Sequence, residues 1–206
     1  MGDSAGRLKL LIATKNPGKA EEVSLLLHGL QVELRSLGDF PSIKTADEIG
    51  NSYSENAVLK ASSYARQTGM GALADDSGLE VDALGSGPGL FSARFGSKAS
   101  DEERMKLLLA ELSKKQVTER TARFRSVVAV VDPLGSVRNI AEGTCEGAIA
   151  SEARGENGFG YDPIFVPAGY TQTFGELPQD EKGRISHRAK ALTLTRAFLM
   201  GLLRET

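Results

Sequence analysis

The order of short apolar runs and amphipathic segments most constrains the fold of this chain. The run LKLLIAT, residues 8–14, is short and apolar and ends at the turn signal KNPGK, so it predicts a buried strand. A helix is predicted next, because apolar residues recur at helical spacing from Val23 to Leu30. Strand-like and helix-like segments continue to alternate, which predicts an α/β protein with a mixed twisted sheet flanked by helices.

Capping patterns and turn residues predict the limits of the other elements. SYSE at residues 52–55 predicts a helix start with a reciprocal capping box, and Gly69 predicts the end of that helix. SDEE at residues 100–103 predicts a second start of this kind. The strand-like segments ARFRSVVAVVD and VRNIAEGTCEGAIA, separated by PLG, predict a long antiparallel hairpin. A last helix is predicted from His187 onward.

Composition narrows the class of protein. The chain has 206 residues, a formal net charge of -2 and 25% charged residues, so neither disorder nor a general affinity for nucleic acid is indicated. Cys145 is the only cysteine, which excludes an internal disulfide and a multi-thiolate metal site. The sequence shows no signal-peptide or membrane-span pattern, so a cytoplasmic protein without a membrane partner is expected. A loose extension is predicted over residues 1–7 and a single domain over residues 8–206.

Two adjacent carboxylates, Asp75 and Asp76, follow an apolar run and predict a cation site. At the carboxyl end of a buried strand they would repel each other unless a cation compensated them. Mg²⁺ fits this requirement, because it takes oxygen ligands and bridges to substrate phosphates. Asp47 or Glu48 could supply a further carboxylate. The alternative is a turn in which the two aspartates cap their own backbone.

The segment TKNPGK, residues 14–19, predicts an anion site at the start of the first helix. Backbone N–H groups and the helix dipole favour an anion there. Lys15 and Lys19 are unfavourable at a helix N-terminus unless an anion lies nearby, which indicates a phosphate. The segment is not the glycine-rich Walker pattern, and a solvated turn is the alternative.

The segment GENGFGYDPIF, residues 155–165, predicts a tightly turned loop that carries aromatic rings. Three glycines and an asparagine surround Phe159 and Tyr161. Exposed rings of this kind could be covered by a planar ligand such as a nucleobase. The alternative is that both rings fold back into the core.

The segment EKGRISHRAK, residues 181–190, predicts cations at another helix start. Ser186 is the predicted N-cap, so His187 and Arg188 lie in the first turn, where the dipole opposes positive charge. Both side chains could donate to the carbonyl oxygens of a base, and Lys182 could reach a base or a phosphate. An ordinary salt-bridged surface is the alternative.

Taken in order, these motifs resemble the inosine triphosphate pyrophosphatase family. The matching segments are TKNPGK, ENAVLKA, ADDSGLEVDALGSGPGLFSARFG, GFGYDPIF and SHRAKAL, and the resemblance extends from residue 8 to residue 203. It implies two lobes with a cleft between them, a homodimer and a Mg²⁺-dependent hydrolase. The implied reaction splits ITP, dITP or XTP between the α- and β-phosphates and yields the nucleoside monophosphate and pyrophosphate.

The resemblance also implies roles for individual residues. Asp76 matches the metal-binding carboxylate taken as the general base, and Glu48 is favoured over Asp47 as the second metal ligand. Lys19 and Lys60 match lysines that contact phosphate, and they are assigned as catalytic together with Asp76. The implied triphosphate loop consists of Thr14, Lys15, Asn16, Pro17, Gly18 and Lys19. The other implied substrate-binding residues are Ser77, Phe159, Gly160, Tyr161, Asp162, Lys182, His187 and Arg188.

Two competing functions stay open at this point. A Maf-like pyrophosphatase acting on pyrimidine or modified nucleotides is the nearest one, although the serine- and arginine-rich loop of that class is missing after the first strand. A nucleotide-sensing module without catalysis is the other, and the presence of Asp76, Lys19 and Lys60 argues against it. The expected partner is a purine nucleoside triphosphate, and no nucleic-acid polymer is expected.

Overall fold

A computed structural model describes residues 8–204 of the chain. The predicted loose extension, residues 1–7, lies outside the described residues. The chain divides into two compact units: unit 1 comprises Met1–Asp76, Val127–Glu142 and Ala191–Thr206, and unit 2 comprises Ser77–Ser126 and Gly143–Lys190. The single domain and the cleft stay predictions. No helix within residues 8–204 has the length and apolar character needed to cross a membrane.

Strands and helices alternate along the chain as the sequence predicts. The strands are β1 (Leu8–Ile12), β2 (Val32–Ser36), β3 (Gly71–Val81), β4 (Gly87–Pro88), β5 (Thr121–Val131), β6 (Val137–Ile149) and β7 (Phe165–Pro167). The helices are α1 (Pro17–Leu27), α2 (Tyr53–Thr68), α3 (Asp101–Lys114), α4 (Gln179–Ile185) and α5 (His187–Arg204). Short 3-10 turns lie between several of these elements.

The strands form one mixed sheet in the order β2-β1-β3-β5-β6-β7, and β4 pairs with β3 outside that order. β1 is parallel to β2 and β3, whereas the β3–β4 and β6–β7 pairs are antiparallel. Residues 132–136 join β5 to β6, and so short a connection permits only an antiparallel pair, which confirms the predicted hairpin. The predicted fold class, a mixed sheet with helices, is confirmed.

The acidic stretch differs from its prediction. Asp75 and Asp76 are predicted at the carboxyl end of one strand, with a second strand beyond them, and this is wrong because Gly71–Val81 form one continuous strand. The turn alternative is wrong for the same reason. Successive side chains of a strand point to opposite faces, so the two carboxylates diverge from each other. This alternation lowers the repulsion that two adjacent buried acids would otherwise experience.

Helix limits follow the predicted caps with one exception. α3 begins with the complete capping box predicted for SDEE, and Gly69 ends α2 in the left-handed conformation, with φ 68°. At the start of α2 the Ser52 hydroxyl accepts from the N–H of Glu55 at 3.1 Å. The Glu55 carboxylate accepts from the N–H of Asn51 at 2.7 Å, so the reciprocal box predicted there is wrong. The carboxylate instead fixes the residue that precedes the cap.

Each unit has a hydrophobic core of its own. The unit 1 core contains Leu10, Ile12, Val23, Leu27, Leu73, Val128, Val130, Ala191, Leu192 and Leu199. The unit 2 core contains Leu79, Val81, Leu108, Leu112, Ala122, Phe124, Cys145, Ile149, Tyr161, Ile164, Phe165, Phe174 and Leu177. Full burial of one such aliphatic or aromatic side chain contributes about 1.5–3 kcal/mol, so each core holds its elements in place within its own unit.

Candidate active site

The start of α1 carries the predicted triphosphate loop, residues 14–19, in unit 1. Asn16 is the N-cap: its side-chain oxygen accepts from the N–H of Lys19 at 3.1 Å, and its own N–H donates to the Thr14 hydroxyl at 3.1 Å. Pro17 occupies the first helical position, where a missing N–H removes no helix hydrogen bond. Two N–H groups of the loop are therefore bonded within it, so the loop is ordered by its own side chains.

Both lysines of this loop contact other parts of unit 1. The Nζ of Lys15 donates to the Oγ1 of Thr45 at 2.6 Å. The Nζ of Lys19 lies 2.7 Å from the Oδ2 of Asp75, which is only 3% exposed. The compensating cation that the sequence predicts beside the two aspartates is, for Asp75, the ammonium of Lys19.

Lys60 joins the two acidic segments of unit 1. Its Nζ lies 3.0 Å from the Oε1 of Glu48 and 3.1 Å from the Oδ1 of Asp76, and it donates to the backbone carbonyl of Asp75 at 2.8 Å. Lys60 and Asp76 are both buried, whereas Glu48 and Asp47 are exposed, and of these two it is Glu48 whose carboxylate pairs with Lys60. Glu48 rather than Asp47 therefore reaches the cation that also contacts Asp76. The role of Glu48 as a metal ligand stays a prediction.

Burial and charge act in opposite directions on these groups. Burial raises the pKa of Asp76, and the ammonium groups of Lys60 and Lys19 oppose part of that rise. Burial also lowers the pKa of Lys60, but the carboxylates of Asp76, Glu48 and Asp75 outweigh it, so the pKa of Lys60 is raised. Lys60 is therefore protonated at neutral pH, and Asp76 is a stronger base than an exposed aspartate.

In unit 2, one aromatic ring is flanked by two buried cations. The Nζ of Lys182 lies 4.8 Å, and the Cζ of Arg188 5.5 Å, from the centroid of the half-buried Phe159 ring. Both cationic residues are only 2% exposed. The Nη2 of Arg188 also donates to the Oγ of Ser77 at 2.9 Å. The salt-bridged surface considered for these cations is wrong, because their side chains lie in the interior.

Asp162 fixes the turn that presents Phe159. Its Oδ2 accepts from the N–H of Phe159 at 2.8 Å and lies 2.7 Å from the Nζ of Lys182. Both members of this ion pair are buried, so the pair attaches the turn to α4. Gly158 has φ 76°, and a side-chain carbon there would lie 2.0 Å from the Oδ2 of Asp162, so the turn requires glycine at this position.

The two residues after Phe159 are hydrogen-bonded to other parts of unit 2. Tyr161 is buried and its hydroxyl donates to the backbone carbonyl of Ser92 at 2.9 Å, so the predicted exposed ring is wrong for Tyr161 and the core alternative is right. Burial of a tyrosine hydroxyl is costly unless the hydroxyl has a hydrogen-bond partner, and the Ser92 carbonyl is that partner. The N–H of Gly160 donates to the Oδ2 of Asp101 at 2.8 Å, which attaches the turn to the start of α3.

The start of α5 agrees with its predicted cap. The Oγ of Ser186 accepts from the N–H of Ala189 at 3.1 Å, and His187 and Arg188 lie in the first turn. The His187 ring stacks on Phe124, with ring centroids 4.6 Å apart and planes inclined by 11°. The stack fixes the plane of the imidazole ring within unit 2.

Several residues that hold the candidate site were not predicted from the sequence. Phe124 belongs to an alternating strand, which marks it as a core residue but not as the neighbour of His187. Asp101 lies in the capping-box pattern SDEE, which does not predict its bond to Gly160. Thr45 lies in an irregular segment without any pattern. Each of them acts through a contact with a residue distant in the chain, which no local pattern records.

Comparisons with known proteins identify what the chain is similar to. Residues 10–198 match the model of the Ham1 family. A Desulforamulus reducens protein named dITP/XTP pyrophosphatase is 47% identical over 186 residues, covering 90% of this chain and 92% of its own length. A Bacillus anthracis protein of the same name is 46% identical over 186 residues, covering 89% and 92%. The solved structure of a HAM1 protein from Coxiella burnetii superimposes with a TM-score of 0.86 at 40% identity, covering 94% and 99%.

Proposed function

The chain belongs to the Ham1 family, and on that premise we propose that it hydrolyses dITP, XTP and ITP to the nucleoside monophosphate and pyrophosphate. Two relatives more than 45% identical to it carry the name dITP/XTP pyrophosphatase. Such an enzyme is a hydrolase acting on the anhydride bonds of nucleoside triphosphates, and this chain is an enzyme of that class. The proposal rests mainly on the contact of Lys60 with both Glu48 and Asp76. This contact brings two carboxylates and an ammonium group together near Lys19 of the triphosphate loop.

Mg²⁺ is the metal that these donors fit. The carboxylates of Glu48 and Asp76 lie 3.0 Å and 3.1 Å from the same Lys60 ammonium, so both face the same small region of unit 1. One or two carboxylates, together with water and substrate phosphates, make up the usual shell of Mg²⁺ in phosphate-binding sites. Within residues 8–204 no three or more His, Cys, Asp or Glu side chains are grouped to hold a metal ion, so phosphates and water would complete the shell. When bound, Mg²⁺ would neutralise the triphosphate and polarise the phosphorus under attack.

Asp76 is the proposed general base. Burial raises its pKa, which makes it a better proton acceptor for a water molecule than an ordinary aspartate. That water attacks the α-phosphorus in line, the bond from this phosphorus to the bridging oxygen breaks, and pyrophosphate leaves with the electron pair. The ammonium groups of Lys19 and Lys60, with that of Lys15, would stabilise the negative charge that moves onto pyrophosphate.

The second set of residues is the proposed base-recognition set. Arg188 and His187 would donate hydrogen bonds to the 6-oxo group of hypoxanthine or xanthine, and the Phe159 ring would contact the base. Adenine carries an amino group at the same position, so a donor would face a donor. A buried donor without an acceptor costs about 1–3 kcal/mol, and ATP is therefore expected to be a poor substrate.

The Maf-like alternative is not favoured, because the matching family model is that of the Ham1 family and the named relatives are dITP/XTP pyrophosphatases. A homodimer in the cytoplasm is part of the proposal. The homodimer is supported by the resemblance stated above, and the cytoplasm by the single cysteine, which fits a reducing compartment.

The proposal is tested by product analysis with dITP, XTP, ITP, dTTP and ATP side by side, with Mg²⁺ and again with EDTA. The expected result is release of pyrophosphate and the nucleoside monophosphate from the first three substrates, only when Mg²⁺ is present. Release of single phosphates would contradict the site of cleavage. Faster hydrolysis of dTTP than of dITP would favour the Maf-like alternative.

A further inference from the structure

An irregular segment of unit 1 contacts one face of α2 at alternate positions. This clasp segment, residues 44–50, precedes α2 and has no regular secondary structure. Starting from its N-terminal end, its even-numbered residues contact progressively earlier residues of the helix. The contacts are Lys44 N to Gln67 Oε1 at 2.8 Å with Gln67 Nε2 to Lys44 O at 3.1 Å, Ala46 N to Tyr64 Oη at 3.2 Å, Glu48 Oε1 to Lys60 Nζ at 3.0 Å, and Gly50 N to Asn56 Oδ1 at 2.8 Å.

The contacts at every second residue follow from the rise per residue of an extended chain and of an α-helix. Two residues of an extended chain span about 6.6 Å. Four residues of an α-helix span about 6.0 Å and return to the same face, and three residues lie nearly as well on that face. The helix stripe, defined as Asn56, Lys60, Tyr64 and Gln67, follows this spacing, so an antiparallel segment can contact it at every second residue.

The pairing fixes which residues of the clasp segment contact the helix stripe. Alternate residues of an extended chain point to opposite sides, so a shift by one residue would reverse them all. In the observed register the carboxylate of Glu48 contacts Lys60, although Glu48 and Asp47 are both exposed residues. The odd-numbered Thr45 contacts Lys15 of the triphosphate loop instead.

Gly50 adds a steric requirement at the end of the clasp segment. A side-chain carbon at this position would lie 2.7 Å from the Cβ of Glu55 and 2.8 Å from the Oδ1 of Asn56. Only glycine can therefore approach the helix closely enough to donate its N–H to Asn56. This last contact ends the register directly before α2 begins.

We propose that Asn56, Tyr64 and Gln67 are positioning residues that set the register of the clasp segment, so that Glu48 and not Asp47 is presented with Asp76 to a divalent cation. The inference rests on the proposed function, because that function assigns the cation. None of the three residues contacts Glu48 itself; they act on the backbone on both sides of it. Their loss should therefore weaken cation binding without removing a ligand.

The test measures binding of Mn²⁺, a paramagnetic substitute for Mg²⁺, to the full chain without nucleotide, by electron paramagnetic resonance. Glu48→Gln should weaken binding by at least about tenfold, and the double variant Tyr64→Phe with Gln67→Ala by about tenfold, the size typical of residues that orient metal ligands. In turnover, the double variant should need more Mg²⁺ for half-maximal rate but keep its kcat at saturating Mg²⁺. A residue needed only for folding would lower kcat as well.

Two controls match these variants. Arg66→Ala truncates an exposed residue next to Gln67 that contacts the carbonyl of Leu134 and not the clasp segment, and it should bind Mn²⁺ as the parent does. Asp47→Asn removes the charge of the exposed residue next to Glu48, which is outside the contacts with the helix stripe, and should also leave binding unchanged. Apart from Tyr64, the altered positions are exposed: they are Asp47, Glu48, Arg66 and Gln67. Tyr64 is buried, and Tyr64→Phe keeps its ring.

The outcomes separate this inference from the proposed function. Equal losses in Asp47→Asn and Glu48→Gln, or parental binding in the double variant, would overturn the role of the register. No Mn²⁺ binding by the parent would overturn the presentation of Glu48 and Asp76 to a divalent cation. If the parent hydrolyses neither dITP nor XTP but the binding order holds, the proposed function fails and the register stands.

Discussion

The two sets of candidate site residues hold their buried charges in different surroundings. In unit 1 the buried groups include two carboxylates, Asp75 and Asp76, and lysine ammonium groups compensate them at 2.7 Å and 3.1 Å. In unit 2 the buried cations Lys182 and Arg188 lie against the Phe159 ring, and the buried carboxylate of Asp162 compensates Lys182. The first arrangement suits phosphate and metal chemistry. The second suits recognition of a planar, electron-rich ligand.

The backbone elements that carry the two sets of residues differ as well. In unit 1 Asp75, Asp76 and Lys60 project from a strand and a helix, whose regular hydrogen bonding fixes their backbone positions, whereas Glu48 projects from the irregular clasp segment. In unit 2 the Phe159 ring projects from a glycine-rich turn that one buried carboxylate, Asp162, attaches to α4. We therefore expect substitutions in the unit 1 set to change the rate of the chemical step and those in the unit 2 set to change substrate preference.

The largest effect is expected from Asp76→Asn in unit 1. The amide cannot accept the proton of the attacking water, and general-base catalysis contributes up to about 10⁴-fold, so kcat for dITP should fall by at least about a thousandfold. The fold should be retained, because asparagine has nearly the same shape. The measurement is single-turnover hydrolysis together with circular dichroism.

Asp82→Asn is the matched control, since this exposed aspartate of unit 2 bonds to Arg123 and Thr121 away from the candidate site. It should hydrolyse dITP at the parental rate. Parental turnover by Asp76→Asn would exclude Asp76 as the base and remove the chemical step from unit 1.

The next effect concerns stability and belongs to the core of unit 2. Burial raises the pKa of the Cys145 thiol to about 11. A group whose pKa is higher in the folded state contributes stability that is present below its unfolded pKa and is lost as the pH rises through the folded value. The free energy of unfolding should therefore fall by about 2–3 kcal/mol between pH of about 8.5 and 11 on account of this thiol.

Urea unfolding of the parent and of Cys145→Ala across this pH range measures the effect. The variant should lose less stability than the parent, since all other titrating groups are common to both. If the units unfold in separate transitions, the difference should appear only in that of unit 2. An identical pH dependence in parent and variant would show that the thiol does not titrate differently in the folded chain.

The smallest effect is expected from Arg188→Ala in unit 2. Loss of one donor to the 6-oxo group should reduce the ratio of kcat/KM for dITP over dATP by about tenfold, within the range of one buried hydrogen bond to a charged group. Arg184→Ala is the control, because this neighbouring arginine is exposed and bonds to Glu181. An unchanged ratio in Arg188→Ala would remove this residue from base recognition and weaken the contrast between the units.

The sequence predicts the limits of elements with a periodic pattern well, and the contacts and burial of single residues within them less well. The predicted starts of α2 and α3, the glycine that ends α2 and the hairpin of β5 and β6 are confirmed. The pair Asp75 and Asp76 was misplaced, because a strand normally avoids adjacent acids and the sequence does not show the lysines that compensate them. Tyr161 was misjudged because the backbone carbonyl that accepts from its hydroxyl lies 69 positions away in the chain.

Local chemistry in the amino-acid order is sufficient to specify where helices begin and end and which face of each is apolar. These properties depend on hydrogen bonds and spacing among residues a few positions apart. The partners of the charged groups depend on the tertiary fold, as the bond between Arg188 and Ser77 shows, since it joins residues 111 positions apart. The contact of Glu48 with Lys60 depends on the tertiary fold in the same way, because it forms only when the irregular segment 44–50 lies against the folded helix α2.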